Sequence, residues 1–210
     1  MKKIKCILSC FLLVIIINSN AQEFKYGAEI GLDISKPQFS SYSTSRGCFC
    51  GPFANSNYYA LPSANINGYI ELKANDIWGI SAEPGFISKD GFLKANQSKI
   101  KMFAFNNYLQ LPVLFNLYIK KKLFFSLGME MSMLMFKFIT ETPTYFWRYP
   151  YQLNSFELSG IIGTGYSIND HFDIGLRYSR GFTNIIRSPY PSIYGSLHNQ
   201  YAQLFVRYKK

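Results

Sequence analysis

From Phe24 to Ile34 the chain reads FKYGAEIGLDI, with apolar or small residues at every even position and Lys, Gly, Glu, Gly and Asp at the odd ones. A two-residue period of this regularity specifies a β-strand whose two faces meet different surroundings. Such a strand buries its apolar face in a water-soluble sandwich or barrel, or turns that face outward to lipid and keeps its charges inside. Everything the chain can do depends on which of the two holds.

The residues ahead of this strand bear on the choice. Lys2, Lys3 and Lys5 precede an apolar run that gives way to small polar residues ending at Ala21, which is the layout of a cleaved secretory signal over residues 1–21. The run is too short to cross a bilayer as a helix. Cys10 stands before the longest apolar stretch, whereas a lipid-attachment cysteine follows it. Loss of Lys2, Lys3 and Lys5 lowers the formal charge from +10 to +7, so residues 22–210 form a basic chain of single-domain length.

Eight segments carry the two-residue period, near 24–34, 64–74, 77–88, 104–119, 123–135, 155–168, 171–182 and 199–209. Asn75-Asp76, Lys120 to Lys122 and Asn169-Asp170 supply tight-turn chemistry between alternate pairs. The other connections, around 35–63, 89–103, 136–154 and 183–198, are long. This alternation predicts an all-β fold: an eight-stranded antiparallel up-and-down transmembrane β-barrel with short periplasmic turns and long external loops.

Parity agrees. Lys25, Glu29, Asp33, Glu71, Lys73, Glu83, Glu130, Glu157, Asp173, Arg177, Arg207 and Lys209 all oppose the apolar set of their strand, with Arg180 the exception near an external end. Most strand glycines share the charged side, which suits a narrow, filled interior. Phe24, Tyr26, Trp78, Tyr166, Phe172 and Tyr208 lie on the apolar side near the short turns, as rings at a membrane–water interface do. The apolar face is therefore expected to look at lipid, and a soluble lipocalin-like ligand-binding barrel is the inverted alternative.

The phrases AEPGFISKDGF (82–92), NYLQLPVLFNLYI (107–119), FDIGLRYSRGFTNI (172–185) and AQLFVRYKK (202–210) make the chain resemble the PorT-like outer-membrane β-barrel proteins of Bacteroidota. The resemblance spans the mature chain and implies an eight-stranded barrel in the outer membrane of a Gram-negative bacterium, with an accessory role in protein secretion among the activities it suggests. Such chains usually close on an aromatic residue; here Lys209 and Lys210 follow Tyr208.

Seven interior carboxylates and five interior bases are read as pairs that fill the lumen, because an unpaired buried charge is costly. His171 and His198 fall at opposite ends of the barrel, so no catalytic triad is expected, and nothing in the sequence calls for a cofactor or a metal. Cys48 and Cys50 in the first external loop are expected to constrain the loop tip as a disulfide; a soft-metal site and reduced thiols are the alternatives. The third loop carries Tyr145, Phe146, Trp147, Arg148, Tyr149 and Tyr151, an aromatic group that either packs on the rim or forms a surface for a glycan or envelope-protein partner.

The loops hold Lys36, Arg46, Lys89, Lys94, Lys99, Lys101, Lys137, Arg148 and Arg187 against Asp90 and Glu141, a balance that favours the phosphates of lipopolysaccharide. Outer-membrane lipid and lipopolysaccharide are thus the expected partners of a monomeric barrel, and secretion excludes nucleic acid. The expected function is non-enzymatic, either structural or partner-binding in the envelope, with a small porin or channel as the second reading.

Overall fold

A computed structural model describes residues 23–40, 56–95, 101–120, 122–142, 152–187 and 196–210. The regular secondary structure of these residues is all strand: β1 (Glu23–Ser40), β2 (Ser56–Lys73), β3 (Trp78–Ala82), β4 (Gly85–Ser88), β5 (Gly91–Ala95), β6 (Lys101–Ile119), β7 (Leu123–Thr142), β8 (Gln152–Leu153), β9 (Phe156–Ser167), β10 (Phe172–Gly181), β11 (Ile186–Arg187) and β12 (Ser196–Lys209). β3, β4 and β5 each pair with β2 on one side and β6 on the other, so together they form one barrel strand, interrupted at Pro84 and again at Lys89-Asp90. Counted this way there are eight strands. β1 pairs with both β2 and β12, which closes the sheet and leaves it without an edge.

Closure fixes the stagger. Phe24 pairs with Leu72, and successive partners around the wall are Ile80, Phe115, Leu127, Ile162, Tyr178 and Ala202, which pairs with Ile34. One circuit therefore returns to β1 ten residues further along (34 − 24). For eight strands this stagger tilts each of them by about 40° from the axis and closes the barrel at a width that side chains can fill.

The faces divide as the parity requires. Ile30, Leu32, Ile66, Leu127, Ile162 and Leu176 are exposed on the outer wall, whereas Glu29, Asp33, Glu71, Glu83, Glu130, Glu157, Asp173 and Arg207 are buried inside. A continuous apolar wall around a charged interior is the reverse of a soluble barrel and suits only a lipid environment. Trp78 stacks on Phe115 and Phe172 packs on Tyr208 toward the periplasmic turns. A second aromatic belt stands at the other end, where Phe92 meets Tyr59 and Phe103, and Phe105 meets Phe138.

The three predicted turns are present. Asn75 Oδ1 accepts from the backbone N–H groups of Ile77 and Trp78, and Asn169 Oδ1 from those of His171 and Phe172. Lys120 opens the third turn at φ +52°, in the left-handed region.

Three expectations need correction. The second external connection is short: β5 runs to Ala95 and β6 starts at Lys101, leaving only 96–100 between them. The strands also reach further outward than the period suggested, to Ser40 on β1 and from Ser56 on β2. Finally, the pairing of β6 with β7 slips by one residue between Asn107 and Tyr108, so one extra residue, Met135, sits on β7 between Leu134 and Phe136. The bulge reverses the parity beyond it, and Phe136 and Phe138 face outward at even positions. Beyond β9 and β10 the hairpin continues as the short ribbon of β8 and β11.

Candidate functional site: the filled lumen

Three groups of side chains occupy the barrel interior. In the middle, Arg177 and Arg207 stand between Glu29 and Glu83. Arg177 Nη1 donates to Glu29 Oε1 at 2.9 Å and to Glu83 Oε2 at 2.6 Å, while Nη2 donates to Glu29 Oε2 at 3.0 Å and to Glu83 Oε1 at 2.9 Å. Arg207 Nη2 reaches the same two carboxylates at 2.8 and 2.7 Å. Two cations and two anions make a neutral quartet, and the guanidinium fork supplies the paired donors this geometry needs. Arg207 lies over the Tyr69 ring at 4.0 Å and Arg177 over Phe205 at 4.2 Å.

Glycines make room for this packing. A Cβ on Gly165 would lie 2.2 Å from the Phe124 ring, one on Gly175 2.4 Å from the Phe205 ring, and one on Gly163 2.8 Å from Arg177 Cγ. Large interior side chains thus lie flat against the backbone of the neighbouring strand, since Phe124, Phe205 and Arg177 are the register partners of Gly165, Gly175 and Gly163.

Toward the periplasmic end, Lys209 Nζ meets Asp173 at 2.6 Å, and Ser167 donates to the same carboxylate at 2.7 Å. Glu71 is held by the Tyr69 hydroxyl at 2.7 Å, by the Tyr118 hydroxyl and by the Asn116 amide. Toward the outside, Lys89 Nζ bridges Glu130 at 2.6 Å and Glu157 at 3.2 Å. The Tyr201 hydroxyl donates to Glu130, and Asn199 to Glu157 at 2.8 Å.

Lys89 corrects the sequence reading, which set it in an external loop with Asp90. Both are buried, because the barrel strand continues through β5 and the odd-position parity carries Lys89 inward. The expected pairing of interior charges is present for Glu29, Glu83, Glu130, Glu157 and Asp173; Asp33 and Glu71 have no base within ion-pair distance among the described residues. The rings of Tyr69 and Tyr108, 1% and 0% exposed, add to the filling of the lumen. Among the described residues, no group of three or more His, Cys, Asp and Glu could hold a metal.

Cys48 and Cys50, and Tyr145, Phe146, Trp147, Arg148, Tyr149 and Tyr151, which the sequence reading assigns to external loops, lie outside the described residues. So do Arg46, Lys99 and residues 1–21, which the sequence reading takes as a signal segment. Lys36, Lys94, Lys101, Lys137 and Arg180 are exposed at the outer ends of their strands, where the sequence reading places the external rim.

A closed sheet with an apolar exterior and a lumen packed with charged and aromatic side chains defines a transmembrane β-barrel. The chain belongs to the outer membrane protein beta-barrel domain family, whose model matches residues 20–187, and this places it in the outer membrane. No curated protein matches the chain. It is similar in structure to the attachment invasion locus protein Ail of Yersinia pestis, solved in complex with the heparin analogue sucrose octasulfate (12% identity, TM-score 0.44, covering 90% of this chain and 99% of that one). It is similar also to Neisserial surface protein A (10%, TM-score 0.46, 90% and 99%) and to OprG of Pseudomonas aeruginosa (12%, TM-score 0.41, 89% and 95%).

Proposed function

We propose that this barrel is a non-enzymatic envelope protein of the PorT-like group that works through its external surface, as a structural element or as the membrane anchor for a partner. The observation that carries this reading is the filling of the lumen, from Lys209 and Asp173 at one end, through the Glu29–Arg177–Glu83–Arg207 quartet, to Lys89 with Glu130 and Glu157 at the other. Every bridge spans different strands, so ions could pass only after several buried ion pairs had been broken. The function then rests with the rim and loops. The exposed bases Lys36, Lys94, Lys101, Lys137 and Arg180 supply cationic contacts for lipopolysaccharide phosphates.

Reconstitution into planar bilayers tests the reading. The expected result is no steady conductance, together with co-purification of a discrete partner or of lipopolysaccharide from native outer membranes. Large, long-lived channels would replace this function with that of a small porin.

A further inference from the structure

Asp33 differs from the other carboxylates of the lumen. It is 1% exposed, and among the described residues its hydrogen bonds come from a single donor, Asn65 Nδ2, at 3.1 and 3.0 Å to its two oxygens. Glu71 also lacks a base, but two tyrosine hydroxyls and an amide hold it. The charges of Glu130 and Glu29 add to that of Asp33, and Arg177 opposes them. A buried carboxylate in such a field calls for a counter-charge.

Around Asp33 stand buried polar atoms that lack partners. In the register of the sheet Asp33 is opposite Ser63 on β2 and Gln203 on β12, while Asn65 is opposite Gly31, two residues along β1. Ser63 Oγ, Asn65 Oδ1 and Gln203 Nε2 are all buried without a hydrogen bond. Asn65 and Gln203 are 6% and 3% exposed. Their amides converge: Gln203 Nε2 and Asn65 Oδ1 lie 2.4 and 2.9 Å from the point a Cβ on Gly31 would occupy. Orphaned buried polar atoms are rare, and several around one carboxylate mark the place of something that satisfies them together.

We infer that this part of the lumen, between β1, β2 and β12, binds a hard divalent cation of the calcium or magnesium class, with the Asp33 carboxylate as its charged ligand and Asn65, Gln203 and Ser63 as neutral ones. Asn65 presents its unpartnered Oδ1 as it stands, and a half-turn of the Gln203 amide exchanges its nitrogen and oxygen without changing its shape. The site then offers oxygen donors alone, the set that hard cations prefer and that transition metals do not require. Calcium takes about six to eight oxygens, so water completes the shell. The cation supplies the missing positive charge beside Asp33 and gives the orphaned atoms a common partner.

The test is calcium titration by calorimetry of the full mature chain, folded in zwitterionic detergent free of lipopolysaccharide and stripped with chelator. One calcium per chain is expected. Asp33→Asn should weaken binding by about tenfold or more, and Ser63→Ala by a smaller factor. Glu141→Gln, at the outer end of β7, should leave binding unchanged. Folding of each variant is checked by heat-modifiable migration; if Asp33→Asn does not fold, Ser63→Ala and Gln203→Leu carry the test. Absence of binding at millimolar calcium would overturn the inference, as would an affinity indifferent to all three lumen variants. A carboxylic-acid infrared band in the metal-free and calcium-saturated protein alike, lost in Asp33→Asn, would also overturn it, because a proton would then neutralise Asp33.

Discussion

Replacing Arg177 by Met should destabilise the barrel severely, and a second replacement should undo much of the damage. In the native quartet two guanidinium groups share two carboxylates, and Arg177 alone contributes four bonds of 2.6 to 3.0 Å. Methionine keeps the packing over Phe205 and the close fit against Gly163 but removes the charge. Glu29 and Glu83 are then left facing each other with only Arg207 between them, and both side chains are 0% exposed. Breaking a buried pair in this way costs about 3–5 kcal/mol, most of it the burden of the uncompensated charge. Adding Glu83→Gln restores electrical neutrality, because Glu29 keeps the Nε and Nη2 donors of Arg207 at 3.2 and 2.8 Å. The double variant should therefore be more stable than the sum of the single effects by about 1–3 kcal/mol. The assay is equilibrium urea unfolding from lipid vesicles, followed by tryptophan fluorescence. Additivity within about 0.5 kcal/mol would refute the idea that these groups act as one unit.

On the outer wall, Leu32→Arg should cost about 2–4 kcal/mol near mid-bilayer, and the same change at Phe24, beside the periplasmic belt, about 0–1 kcal/mol. Single-cysteine labels at positions 29 to 32, in a chain lacking Cys48 and Cys50, should be quenched by lipid-borne quenchers at the even positions and spared at the odd ones; the opposite parity would invert the barrel. Gly165→Val should destabilise by about 1–3 kcal/mol because it drives the Phe124 ring off its backbone seat, and unfolding midpoints indistinguishable from wild type would remove that explanation. The folded protein should migrate faster than its boiled form in detergent gels, whereas a monodisperse, detergent-free protein would contradict the lipid-facing wall.

How far the sequence discloses this architecture depends on whether a signal is local. Parity is local, so the inward set from Lys25 to Lys209 and the outward set from Phe24 to Tyr208 could be read directly. Turn chemistry is local too, and Asn75 and Asn169 do what their side chains suggest. Lys89 and Asp90 were not legible in this way, because the polar stretch from 89 reads as the start of a long external connection. There the carboxylate of Asp90 is occupied within the wall by Ser88 Oγ and the Asn106 N–H, and the strand continues. The outer aromatic belt was obscured because Tyr59, Phe92 and Phe103 fall in stretches read as connections, and because the bulge at Met135 exchanges the faces of β7 ahead of Phe138. The pairing of charges was least legible. Which carboxylate meets which base depends on the stagger of all eight strands, a property that appears only when β12 returns to β1.

That returning strand also sets the order in which the molecule can come into being. Glu29 sits on the first strand, and its partners Arg177 and Arg207 are 148 and 178 residues away. A nascent or partly inserted chain carries the carboxylate long before either cation exists to meet it, and both margins of its sheet are still unpaired. Contacts this distant along the chain make folding slow, because the entropy of closing the loop is lost before any bond rewards it. Assembly cannot finish from the amino end by accretion. Until the fourteen residues of β12, Ser196 to Lys209, dock along β1, the chain is an open sheet with an uncompensated acid at its centre, a state exposed to mispairing and aggregation until that strand arrives.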